Sequence, residues 1–343
     1  MHVCQLGHAH SLREFTGALR SFEGKLKHLD ITARSLSTLS YANAHRPWEL
    51  YQEIFFSLFA HIRSQVNGKK KFRFKNKLLT LDSTLIDLCL SLFNWAHFRR
   101  TKGAIKLHLI LDHDGYLPSY ACITEGKIAD VKIAQRLRFD PGTVIVDDRA
   151  YNDYRLFGQW SAQGVYFVTR MKDNAQYKTV GEQEVPKNRN ILKDELIEFL
   201  APLAREKCPY PLRRIEIYNP EKDEILVFLT NHLDWGSTTI AALYKDRWQI
   251  ETFFRALKQN LKIKTFVGIS PNAVKIQVWT ALIAMLILRY LQLVSRFARS
   301  LSNLVALLRM NLFTHRDLWA WLHEPFGTLP FPYEQEQYAL TLA

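Results

Sequence analysis

The alternation of apolar and polar positions divides the chain into a helical beginning, a strand-rich middle and a helical end. Over residues 11–22 and 48–65 apolar side chains recur at helical spacing, and the two are separated by a polar stretch rich in Ser, Thr and Asn between Ile31 and Arg46. Basic residues then alternate with Phe72, Phe74 and Asn76 from Lys69 to Lys77, which predicts a strand with one positive face. That strand runs towards Leu79-Thr80-Leu81-Asp82-Ser83. Residues 105–111 and 117–124 predict a hairpin, because Asp114-Gly115 supplies the left-handed positions a tight turn needs.

A short helix over 128–137 leads into an apolar strand at 143–146 that ends in Asp147-Asp148, followed by a helix at 154–163 and a buried strand at 165–169. Three strands, a helix, a strand, a helix, a strand and a helix predict an α/β fold, a ribonuclease H-like mixed sheet flanked by helices. Between residues 172 and 231 the rhythm changes to strands at 215–218 and 224–230 around Asn219-Pro220-Glu221-Lys222, a β-rich insertion. From Ser237 to Leu322 the pattern is helical, with breaks at 268–272 and 300–302. The expected division is a helical module at 1–66, a catalytic domain split into 67–171 and 232–313 by the insertion at 172–231, and a C-terminal helix and tail at 314–343.

Hydrophobic residues make up 48% and aromatic residues 13% of the 343, enough to build a sizeable core and too many for a disordered chain. Lysine and arginine number 46 against 33 aspartates and glutamates, a net charge of +13 that favours a polyanionic partner. A membrane surface is the competing polyanion, but no membrane partner is expected: the charge-free part of the most apolar stretch, 278–288, is short of the roughly 18 residues a spanning helix requires and reads as a buried core helix. The first residues show no export signal, so the expected compartment is the bacterial cytoplasm, with the protein associated with the nucleoid. Cys4, Cys89, Cys122 and Cys208 have no paired spacing, which argues against a disulfide framework, and Cys4, His8 and His10 lack the second ligand pair of a zinc site.

The strongest chemical signal is Tyr244-Lys245-Asp246-Arg247-Trp248-Gln249-Ile250-Glu251, continuing to Lys258. On one helix, Tyr244, Arg247, Glu251, Arg255 and Lys258 fall within a sector of roughly 80°, placing a lone carboxylate among cations and a phenol. Ile250, Phe253, Leu257 and Leu261 fall opposite, where they would pack against the sheet. A solvated face with i, i+4 pairs between Glu251 and Arg247 or Arg255 is the plain alternative.

The spacing Tyr-x2-Arg-x3-Glu-x6-Lys resembles the signature of insertion-sequence transposases of the IS-four type, the Y-R-E-K subclass of the DDE superfamily. The resemblance covers nearly the whole chain from Lys69. Leu81-Asp82-Ser83-Thr84 looks like the first acidic motif, at the end of the first core strand. Asp148-Arg149-Ala150-Tyr151 looks like the second, with alanine where the family has glycine, a departure that asks for a turn without positive φ at Ala150. The resemblance implies a DNA transposase that cleaves insertion-sequence ends and joins them to target DNA, with Asp82, Asp148 and Glu251 holding two Mg²⁺ ions, or Mn²⁺ as substitute. Oxygen-rich carboxylates suit those metals, and three of them crowded together need bound cations. Asp147 rivals Asp148, since neighbours on a strand point to opposite faces.

Partners so implied are double-stranded DNA, both terminal inverted repeats and target, and a second copy of the chain in a homodimer on DNA. Tyr244, Arg247 and Lys258 are expected to hold terminal phosphates. Secondary candidates for backbone contact are Arg255, then Lys71, Arg73 and Lys75 on the basic strand, and Arg99, Arg100 and Lys102 in the following loop. Trp235 is a candidate for stacking on an unpaired base, or else an ordinary packed tryptophan. Family members usually carry a longer helical region before the part matched by Ser11-Leu12-Arg13-Glu14-Phe15, so Met1 is expected to start inside it. Alternatives are an inactive DNA-binding remnant, or a nuclease on the same core without strand transfer.

Overall fold

A computed structural model describes residues 11–22, 32–66, 71–99, 102–187, 189–261, 266–311, 314 and 316–327. Its strands are β1 (Leu78–Leu88), β2 (His97–Arg99), β3 (Lys102–Asp112), β4 (Leu117–Glu125), β5 (Val144–Val146), β6 (Tyr166–Arg170), β7 (Tyr177–Glu182), β8 (Ile191–Phe199), β9 (Leu212–Asn219) and β10 (Glu224–Thr230). They form one sheet in the order β2-β3-β1-β5-β6-β10-β9-β8-β7, with β4 also on β3. Within it, β4-β3-β1 are antiparallel and β1-β5-β6 parallel. This is the ribonuclease H-like strand order, and the fold is of that class. The β3–β4 turn takes its left-handed positions at Gly115 and Tyr116, with φ of 89° and 54°.

Eleven helices are described: α1 (Leu12–Ser21), α2 (Leu36–His45), α3 (Glu49–Gln65), α4 (Asp130–Ala134), α5 (Tyr154–Ala162), α6 (Pro202–Lys207), α7 (Ser237–Asp246), α8 (Trp248–Asn260), α9 (Pro271–Val294), α10 (Leu301–Met310) and α11 (Leu318–His323). They cover both faces of the sheet, which explains why β5 reads Val-Ile-Val with no polar position. Val144 and Val146 pack with Ile240 and Leu243 of α7, while Ile145 packs with Leu156, Phe157 and Trp160 of α5. Gly158 is required where α5 meets the end of α6, since a Cβ there would overlap the Lys207 carbonyl.

Helix α9 is buried nearly all round, with Val274, Val278, Trp279, Leu282 and Leu286 inside the largest core cluster. Trp279 is flanked by Trp48, Phe55 and Phe56, so α3 is fastened to α9 by rings. Each fully buried side chain of this size contributes roughly 1.5–3 kcal/mol. Ile250, Phe253, Leu257 and Leu261 of α8 join the same cluster, as their spacing predicts.

The structure corrects the sequence reading at two places and adds to it at two. The polar stretch between Ile31 and Arg46, left unassigned by its pattern, contains α2, whose N-terminus is capped by Ser35. Residues 71–77 form no strand; Lys71, Arg73, Lys75 and Lys77 are exposed and Phe72, Phe74 and Asn76 half-buried, so the alternation survives without a strand ladder. The first core strand is instead the 11-residue β1, and Asp82 lies in its middle and not at its end. The insertion holds β7, β8 and α6 besides the two expected strands, and β10 pairs with β6, making these strands a continuation of the core sheet.

Candidate active site

Strand parity decides which side chains meet. Along β1, Thr80, Asp82 and Thr84 point to the face covered by α7 and α8, while Leu81 and Ser83 point to the other. The parallel register pairs Leu78 with Val144 and Thr80 with Val146, and extending it by two residues sets Asp82 beside Asp148. Asp148 shares the parity of Val144 and Val146. Asp147 shares that of Ile145 and is fully buried. No well-formed hydrogen bond reaches its two oxygens, because the Thr169 hydroxyl donates to the Asp148 carbonyl at 3.1 Å. Burial pushes the Asp147 carboxyl well above its ordinary value, with the Asp148 charge adding to it.

Asp148 begins a single 3-10 turn, Arg149–Tyr151, and its carboxylate accepts from the Ala150 amide at 2.8 Å. Ala150 takes no positive φ, so alanine fits where the family has glycine. Asp82 accepts from the Ser83 amide at 2.7 Å through Oδ1, and its Oδ2 faces Arg247 Nη1 at 3.2 Å. The second guanidinium nitrogen, Nη2, lies 2.5 Å from Glu251 Oε1. Arg247 thus spans two carboxylates, one on β1 and one on α8. Burial, the neighbouring Asp148 and, more weakly, Glu251 push the Asp82 carboxyl up to about 7, against the opposing pull of Arg247.

The long helix of the sequence reading is two helices in series. Arg247 stands at the junction between α7 and α8 with φ −50° and ψ −32°, so the chain bends little and the expected face persists. The Arg247 guanidinium lies over the Tyr244 ring at 5.4 Å, and Lys258 Nζ donates to Thr84 Oγ1 at 2.6 Å. Asp82, Ser83, Thr84, Glu251, Arg255 and Lys258 line an open cleft of about 570 Å³. Asp148 opens instead onto an adjoining cleft with Arg149, Lys172 and Asp173.

The peripheral basic residues are scattered. Lys71 turns inward to Asp246 at 2.5 Å, while Arg73 and Lys75 are exposed beside it. Arg99 and Lys102 are paired at the far end of β3, seven residues from the partner of Asp82, or about 24 Å along the strand. Arg100 lies outside the described residues, as do Cys4, His8 and His10. Trp235 is stacked between Phe74 at 4.3 Å and His232 at 4.0 Å, which leaves neither ring face open to a base.

Three features escaped the sequence reading. Asp246, 2% exposed, accepts from His113 Nδ1 at 2.7 Å, Tyr116 Oη at 3.0 Å and Lys71, and His113 Nε2 meets Thr80 Oγ1 at 2.6 Å. This network ties the strand of Asp82 to the helix end that carries Arg247; nothing in sequence joins residues so far apart. Trp248, 51% exposed, falls on the face of Glu251 and Arg255 by its i+3 and i+7 spacing, a signal that was available. The third is the bond from Arg247 to Asp82; its i, i+4 pair with Glu251, the plain alternative read from the sequence, is present as well.

A family model described as "Transposase DDE domain" matches residues 73–287. The chain belongs to the DDE transposase family. Among its relatives, a Sinorhizobium fredii protein described as a transposase, y4zB, is 32% identical, with 82% of this chain and 78% of that protein covered. A Geobacillus stearothermophilus protein described as the transposase of insertion sequence element IS5377 is 28% identical over 74% of this chain and 67% of its own length. Transposase InsG of insertion sequence element IS4 from Escherichia coli is 23% identical, covering 54% and 43% respectively. Of solved structures, a piggyBac transposase synaptic complex with hairpin DNA is similar at 12% identity and a TM-score of 0.40, covering 69% of this chain and 52% of that one. This insertion-sequence transposase is therefore a DNA transposase, an enzyme of phosphodiester hydrolysis and transesterification, in a family that typically works with divalent metal ions.

The donor chemistry of Asp82, Asp148 and Glu251 suits such ions, being all carboxylate oxygen. Their spacing does not yet suit them: among the described residues no group of three His, Cys, Asp or Glu is gathered closely enough to hold an ion.

Proposed function

We propose that this transposase cleaves DNA at the ends of an insertion sequence and joins the freed ends to target DNA, with Asp82, Asp148 and Glu251 as its catalytic carboxylates. The observation that carries this reading is the Arg247 bridge between Asp82 and Glu251, with the β1–β5 register setting Asp148 beside Asp82: carboxylates brought this near to one another call for cations. Two divalent cations, Mg²⁺ or Mn²⁺, would supply activation of water and stabilisation of charge on the phosphodiester. The strand register supports Asp148 over Asp147 as the second member.

The substrate is double-stranded DNA, terminal inverted repeats and target alike, engaged by a homodimer. Lys258 and Arg255 border the cleft that Asp82 and Glu251 line, where a phosphate backbone would be held, and Tyr244 stands under Arg247. Tyr244, Arg247, Glu251 and Lys258 are the residues of the Y-R-E-K pattern, and their sharing of one face supports that subclass for this chain. Trp248, exposed on the same face, takes the base-stacking role first considered for Trp235.

The test is cleavage of end-containing DNA in Mg²⁺ by the intact chain. Asp82→Asn, Asp148→Asn and Glu251→Gln are each expected to lose at least about a hundredfold in rate. Asp147→Asn should retain most of it. Full cleavage by any of the first three removes that residue from the site.

A further inference from the structure

The arginine that bridges Asp82 and Glu251 is placed where a cation shared by those carboxylates would have to sit. Its guanidinium uses two nitrogens, 3.2 Å from Asp82 Oδ2 and 2.5 Å from Glu251 Oε1. The other oxygen of Asp82 already accepts from the Ser83 amide. Each oxygen of Asp82 therefore already accepts one hydrogen bond, and the side chain of Arg247 is only 11% exposed, held between the strand and the helix. Mg²⁺ needs oxygen ligands at about 2.0–2.1 Å in near-octahedral geometry, which leaves no room for N–H donors on the same lone pairs.

We infer that Arg247 is an internal counter-ion that competes with a divalent cation for Asp82 and Glu251, and that the guanidinium displaced by the cation is the group that takes a DNA phosphate. The inference rests on the metal-binding reading of those carboxylates. Chemistry favours the exchange, since the planar fork that fits a carboxylate fits a phosphate equally well, with two parallel N–H donors. Geometry provides the route: the Tyr244 ring under the guanidinium offers a surface on which it can pivot, and the cleft beside Glu251 is open to solvent. One positive charge thereby serves in two places in turn. The carboxylates are never left without a cation, and Arg247 reaches DNA only when the site is loaded.

Binding of Mn²⁺ to the full chain without DNA, followed by electron paramagnetic resonance or calorimetry, tests the competition. Arg247→Gln should bind Mn²⁺ more tightly than wild type, by about tenfold or more, because a positive charge a few ångströms from the ion has been removed. Arg247→Lys, which keeps the charge and loses the bridge, should fall between the two and guards against a folding defect in the first variant. Unchanged or weaker Mn²⁺ binding by Arg247→Gln overturns the inference. The underlying reading fails separately, if Asp82→Asn and Glu251→Gln bind Mn²⁺ as well as wild type does. A second arm uses end-containing DNA with Ca²⁺ or with EDTA: Arg247→Gln should weaken binding in Ca²⁺ and leave it unaltered in EDTA. Equal losses under both conditions would show that Arg247 holds DNA without being released by a cation, and would also overturn the inference.

Discussion

Asp82 shows how one position serves two opposed demands. Its carboxyl is raised to about 7 by burial and by Asp148, so the folded chain holds a proton there over a range in which the unfolded chain has released it. Stability should consequently fall as pH rises from about 4 to about 7, the sense required whenever the native state binds the extra proton. Urea denaturation across that range should show this decline, and Asp82→Asn should flatten it and be the more stable protein at pH 7, by up to roughly 4 kcal/mol for a shift of about three units. A variant less stable than wild type at pH 7 would contradict the electrostatic account. Asp147 is strained in the same sense, and its parity explains what sequence left open: the Asp147-Asp148 pair is symmetric on paper, and only the β1–β5 register separates the two. Glu251 needed no such help, since its spacing from Arg247 and Lys258 already defines a face.

At the scale of elements, legibility followed the chemistry of each segment. Helix α8 and strand β5 were readable because their burial is one-sided in the first and complete in the second, and both leave plain patterns. Strand β8 was hidden by its charges, for Asp194 and Glu195 lie inside it and pair with Arg213 and Arg214 of β9. The segment 71–77 misled in the opposite direction. Its period of two arises from Phe74 packing on Trp235 and Phe72 packing on Phe74, with no ladder at all. How the elements bearing the site are joined is carried by Asp246, whose carboxyl is held below its ordinary value, against the upward pull of burial, by His113, Lys71 and Tyr116. Asp246→Ala strands His113 and the Tyr116 hydroxyl, while the exposed Lys71 can turn to water, and should cost about 1–3 kcal/mol in chemical denaturation. A loss below about 1 kcal/mol would mean that packing alone holds α7 to β1.

Over the whole molecule the charge of +13 sets the terms of DNA binding more than any one contact does. The logarithm of affinity should fall linearly with the logarithm of salt concentration, with a slope near −0.9 for each phosphate neutralised. Lys258→Ala should make that slope shallower by about one if Lys258 meets a phosphate, and leave it unchanged if its bond to Thr84 is its whole role.

The pairing of β10 with β6 has a consequence of another kind. Because the inserted segment returns to lie against the edge of its own host, its final strand is bound to the catalytic sheet, whereas β7 ends the sheet with one side unpaired among the described residues. A change in chain length is expected to cost least at β7 and the loops around it, where only the ladder to β8 depends on them. The same change at β10 would bare β6, the neighbour of the strand that leads to Asp148. Inheritance therefore has a free margin and a fixed one, three strands apart in a single sheet.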